Sequence, residues 1–66
     1  MIMEIWIARD RDGELQMFEE KPVLIKNTYF IAQVGTSSMS LDNGMFPEVT
    51  FENSPQEVEL KLVNEL

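Results

Sequence analysis

The chain has 66 residues, a net charge of −7 and neither Cys nor His. That composition excludes disulfides, thiolate metal sites and the commonest general base. It also disfavours direct contact with nucleic acid or anionic membrane, because both are polyanions.

Residues Met1 to Arg9 alternate in polarity and predict a strand. Met3, Ile5 and Ile7 share one face; Ile2, Glu4, Trp6 and Ala8 share the other. RDRDG follows, from Arg9 to Gly13. Asp at the first turn position, Asp at the third and Gly at the left-handed position predict a type I turn with a G1 bulge. Asp10 is expected to cap its own turn as an Asx residue. Glu14 to Glu20 is the next strand. Pairing Asp10 with Glu14 sets Ala8 opposite Gln16, Ile7 opposite Met17 and Trp6 opposite Phe18. The same register sets Glu4 against Glu20, a like-charge conflict at the open end. Both faces of this hairpin then carry large apolar groups, so one covers the core and the other needs a second layer or a partner.

Lys21-Pro22 ends the second strand, since Pro cannot donate to a ladder. Val23 to Ile25 is a short strand before a turn at Lys26-Asn27. Thr28 to Val34, rich in aromatic and β-branched residues, is a strand that Gly35 breaks. Ser37 to Leu41 reads as half-buried, with Ser38 and Ser40 outward and Met39 and Leu41 inward. Asp42-Asn43-Gly44 is a turn signal. Phe46 is extended or turned, because it precedes Pro47. Glu48 to Phe51 is another short strand. The segment from Ser54 onward has two readings. Ser54, Pro55 and Glu57 match a helix start with a capping box. Glu57 to Leu62 alternates strictly, which is a strand period and is the reading favoured here. The whole predicts a mainly-β single domain over 1–66, an antiparallel meander or small barrel of about five to six short strands. The alternative is an α+β domain with a C-terminal helix. A core this small is marginal, which makes a weak homodimer the expected state.

Two stretches, IWIARDRDGELQMFEEKP (Ile5 to Pro22) and LDNGMFPEVTFENSPQEVEL (Leu41 to Leu60), cover over half the chain. Together they resemble a group of short proteins of gut Bacteroidales and their phages or mobile elements. Those carry an ARD-x-DG turn, a KP, then FPEVTFE and EVEL. The resemblance implies a phage or mobile-element origin and no assignable activity, so no catalytic residue carries over. Val23 to Ser40 takes no part in it.

Asp10, Asp12 and Glu14 invite comparison with a calcium loop. An EF-hand loop needs a Gly at position 6 and a bidentate Glu at 12; here position 5 is Glu14 and position 6 is Leu15. The turn therefore explains RDRDG better than a metal, and no metal or cofactor is expected. Paired carboxylates without His or Cys, and with little room for a pocket, do not make an enzyme. The six aromatics are core material, since a base-stacking platform needs basic neighbours. The N-terminus lacks a basic region, so no signal peptide is expected. No apolar run reaches the length of a membrane span, and a cytoplasmic protein is expected. The remaining reading is a non-enzymatic module that binds an unidentified protein. Its candidate surface is Trp6 and Phe18 with the carboxylates Glu48, Glu52, Glu57 and Glu59. The alternative is an acidic inhibitor that imitates nucleic acid.

Overall fold

In a computed structural model the protein is described over residues 2–61, with Ile2 described by its backbone alone. Met1 and Leu62, the outer residues of two predicted strands, lie outside that range. Among the described residues there are six short strands and no helix. They are β1 (Ile2–Arg9), β2 (Leu15–Phe18), β3 (Val23–Ile25), β4 (Tyr29–Ile31), β5 (Ser38–Ser40) and β6 (Gln56–Lys61). All pairing is antiparallel. One sheet runs β5-β2-β1-β6 and the other is the β3-β4 hairpin. The segment after Ser54 is thus the strand that its alternation predicts.

The first hairpin has the predicted register: Trp6 faces Phe18, Ile7 faces Met17 and Ala8 faces Gln16. Its turn closes with the Gly13 N–H on the Asp10 carbonyl at 2.9 Å and the Asp10 N–H on the Glu14 carbonyl at 2.8 Å. Gly13 has a φ of 99°, and nothing lies within 4 Å of where a Cβ would stand. The demand for Gly is therefore conformational and not steric. Gly13→Val should lower stability by about 1–3 kcal/mol in a thermal melt, with Gly13→Asn losing less. An unchanged Tm for the Val variant would remove the backbone argument.

Both faces of β1 find cover over part of their length. On the even-numbered face, Ala8 and Phe18 pack with Phe30 of β4, and Trp6, Ala32 and Phe51 lie against them. Phe30 and Phe51 rings meet at 5.9 Å, tilted by 55°. On the odd-numbered face, Ile7 and Leu15 pack with Val49, and Leu41 and Val58 close the edge of that cluster. The second layer is thus the β3-β4 hairpin with Phe51 on one side and the 41–49 connection on the other.

Several expectations change. Glu48 to Phe51 forms turns instead of a strand. The Val49 N–H bonds the Phe46 carbonyl at 2.9 Å, and the Thr50 N–H bonds Asn53 Oδ1 at 2.8 Å. Pro47 has no N–H to offer a ladder and Phe46 sits at a φ of 49°, so the stretch cannot run extended. The Glu4–Glu20 pairing is not formed, because β2 stops at Phe18; on the other side of β1, Glu4 faces Glu59 of β6. The predicted Thr28–Val34 strand shortens to Tyr29–Ile31. Met39 is 56% exposed instead of inward, since nothing described packs over β5 on that side. The Lys26-Asn27 turn is present, with φ values of 51° and 50°, the paired positive angles of an I′ turn.

Candidate functional site

The densest constellation is RDRDG itself, and its side chains are committed to holding the fold. Arg9 is the last residue of β1. Its Nε donates to the Val49 carbonyl at 2.6 Å, and Nη1 donates to the carbonyls of Gly13 at 2.8 Å and Asn43 at 2.9 Å. Nη2 donates to the carbonyls of Met45 at 2.9 Å and Phe46 at 3.1 Å. Every N–H of the guanidinium is therefore used on backbone. The Arg9 backbone N–H also donates to Ser54 Oγ at 2.9 Å. Ser54, the helix cap of the alternative reading, serves instead as a clamp on the end of β1.

Asp10 is 7% exposed, and its Oδ1 accepts the Phe30 N–H at 2.9 Å. It does not cap its own turn; it joins the first hairpin to the second. Asp12 takes the local role, with Oδ1 accepting the Glu14 N–H at 3.1 Å. The interior offered Asp10 a longer-range donor that would otherwise lie buried without a partner, and a buried N–H is costly to leave unbonded. Arg11 donates through Nε and Nη2 to the Asn27 carbonyl at 3.0 and 2.9 Å, and its guanidinium lies 4.3 Å above the Phe51 ring.

Asp10, Asp12 and Glu14 place carboxylate oxygens within 4.8 Å of one another, at the mouth of a groove of about 450 Å³ beside β4. Asp10 and Asp12 each have an oxygen taken by a backbone N–H, and Asp12 and Glu14 are exposed. Such a set falls short of the six to eight oxygens that Ca²⁺ takes. Millimolar Ca²⁺ should leave Tm unchanged apart from a general ionic effect. Native-state binding at 100 times its dissociation constant would add about 2.7 kcal/mol, and a saturable rise of that size would reassign the loop.

The surface candidates divide into three groups. Phe18 is 1% exposed and Trp6 is half-buried, so this pair gives most of its area to the even-face core. Lys21 Nζ lies 5.6 Å over the Trp6 ring. Glu57 and Glu59 stand on β6, in register with Trp6 and Glu4 of β1. Partial desolvation, the charge and hydrogen-bonding reach of Glu4, and the charge of Glu59 push the Glu57 carboxyl above its ordinary value. Glu48 and Glu52 sit on the turns of the 47–53 stretch, and neither is among the charges that act on Glu57.

A surface that sequence reasoning missed lies on the odd-numbered face. Beyond the cover of Val49, the register aligns Met3 with Leu60, Ile5 with Val58, and Met17 with Met39. Met3, Met39 and Leu60 are 54%, 56% and 48% exposed. A groove of about 270 Å³ runs between Met3, Ile5, Met17 and Met39, with Glu19 at its rim. The signal was present as Met at strand positions of one parity, but strand order had to be known before the residues could be joined into one patch. Among the described residues no helix is long and apolar enough to cross a membrane. No family model matches this chain, and no curated protein or solved structure matches it.

Proposed function

We propose that the protein is a non-enzymatic interaction module that binds another protein through the open odd-numbered face of its four-stranded sheet. The carrying observation is the contiguous exposure of Met3, Met39 and Leu60 around the Ile5–Met17 groove. Methionine suits such a surface, because its flexible, polarizable side chain adapts to varied partners. A contiguous apolar patch on a small protein marks an interaction site more often than isolated exposed residues do. The partner's chemistry follows from the rest of the chain: an apolar centre with basic groups around it, to meet a net charge of −7. The same reading treats the chain as a cytoplasmic accessory protein of a phage or mobile element, as its ARD-x-DG and FPEVTFE stretches suggest.

The test compares wild type with Met39→Asp, a change on an exposed position of β5. Proteins captured from host lysate are compared, and the one that depends on Met39 is purified and titrated directly. Its affinity should fall at least tenfold in the variant, with an unchanged circular dichroism spectrum. Equal affinity for both chains would remove this face from the reading. A second reading, an inhibitor imitating nucleic acid, draws on the grouping of Glu4, Glu57 and Glu59. It ranks below the first because Glu48 and Glu52 stand outside that group. Displacement of the captured protein by duplex DNA, together with indifference to Met39→Asp, would favour it.

A further inference from the structure

We propose that β6 is a homodimerisation edge, on which two copies pair antiparallel about Glu59, setting Glu57 of each copy opposite the partner's Lys61. Among the described residues β6 ends the four-stranded sheet, with nothing beyond it. It is the longer of that sheet's two outer strands, six residues against three for β5. It contains neither Pro nor Gly, and each of its residues is in register with β1. An unprotected edge of this kind is a template for another strand.

The sequence of β6 is self-complementary about one residue. Reading EVELK (Glu57 to Lys61) against itself in reverse, Glu57 meets Lys61, Val58 meets Leu60, and Glu59 meets its own copy. A two-fold axis makes each contact occur twice except the central one, as an isologous interface requires. Side chains that face each other must share a sheet face, so the centre must fall on a residue. Centring on Val58 would set Glu57 against Glu59, whereas centring on Glu59 gives two opposite-charge pairs and two apolar pairs. The central Glu59 pair opposes association, as does the charge of −7 on each copy. Beyond about 8 Å that repulsion is screened at physiological salt.

Two further observations favour the second copy as the occupant. Glu57 stands among the like charges of Glu4 and Glu59, and the partner's Lys61 brings a cation to that group. Leu60 is 48% exposed, and the partner's Val58 would cover it. The axis lies perpendicular to the sheet, so the methionine faces of the two copies join into one surface. The interface is small, under about 1,000 Å², which makes a weak dimer.

Sedimentation between about 10 μM and about 1 mM tests the pairing, a range suited to an interface of that size. Wild type should rise from the 7.7 kDa of one chain toward twice that mass. Glu57→Lys and Lys61→Glu should each weaken association at least tenfold, because each sets like charges opposite across the axis. An equimolar mixture of the two variants should recover the dimer, since both axis-related pairs then join a lysine to a glutamate again. Bulk charge predicts differently: Glu57→Lys moves the net charge toward zero and would strengthen association. Both positions are exposed, and circular dichroism confirms that each variant folds. A wild type that stays monomeric throughout, variants that associate like wild type, or a mixture of folded variants that stays monomeric would each overturn the proposal. The dimer does not rest on the partner reading. Met39→Asp changes β5 and not β6, so it should dimerise as wild type while losing partner capture.

Discussion

Arg9→Ala should destabilise the protein by about 2–4 kcal/mol in urea unfolding, although Arg9 is only half-buried. Hydrogen bonds to a charged group contribute about 1.5–3 kcal/mol each, but the five here are not additive, and water can reach several of the freed carbonyls. What makes the loss large is how much of the chain Arg9 orders. It gathers carbonyls from Asn43, Met45, Phe46 and Val49, and so carries Val49 onto Ile7 and Leu15. It also holds Phe46 at a φ of 49°, a conformation that a bulky residue does not keep unaided. Without the guanidinium that strain is released into a looser 43–49 loop, and the odd-face core opens at one end. Arg9→Lys keeps the charge but offers three donors in place of five and no planar fork, so it should recover less than half of the loss. Hydrogen exchange at the Val49 N–H, which bonds the Phe46 carbonyl, reads the local effect. An Arg9→Ala variant with wild-type stability and unchanged exchange at Val49 would show that the loop holds itself.

Phe18→Ala should unfold the protein at 25 °C. Phe18 and Leu15 are the largest fully buried side chains, and Phe18 joins Ala8 of β1 to Phe30 of β4. Truncating a buried Phe costs about 3–5 kcal/mol in transfer and cavity terms. A core in a chain this short contributes a net stability of about the same size. The expected readout is loss of near-ultraviolet dichroism and of dispersed amide resonances. Phe18→Leu should stay folded with a lowered Tm, because it keeps most of the buried volume. Tyr29→Ala, on a side chain that is 40% exposed, should cost far less. A folded Phe18→Ala protein would mean that the even-face cluster is not the main source of stability.

The two variants probe opposite faces of one sheet, and their contrast explains how so short a chain builds a domain. β1 is flanked by β2 and β6 and packed on both sides, so each of its side chains from Trp6 to Arg9 has a tertiary partner, and Asp10 just beyond it bonds β4. β2 adds Leu15 and Phe18 and β4 adds Phe30, while the outer strands of the larger sheet carry far less. β5 is exposed throughout, and β6 is mostly exposed. The open regions are the two that carry the functional proposals, the methionine face and the β6 edge.

Local pattern by itself determined where the six strands lie, although it also predicted one at Glu48 to Phe51, and it determined the first turn and its register. RDRDG needs a positive φ at Gly13, the turn length fixes which residues face each other, and period-two alternation fixes which face they take. The same alternation made the β6 segment a strand despite its helix-like Ser54-Pro55 start. Tertiary structure decided what lies far apart in sequence. Arg9 reaches carbonyls up to 40 residues away, and a backbone carbonyl has no sequence identity that pattern could read. Asp10 could satisfy itself locally, yet the buried N–H of Phe30 claimed it, because an unpaired donor in the core costs more than an open turn at the surface. Met3, Met39 and Leu60 became one patch only when β6 returned beside β1 and β5 beside β2, since parity tells which face a residue takes and says nothing of which strands are neighbours.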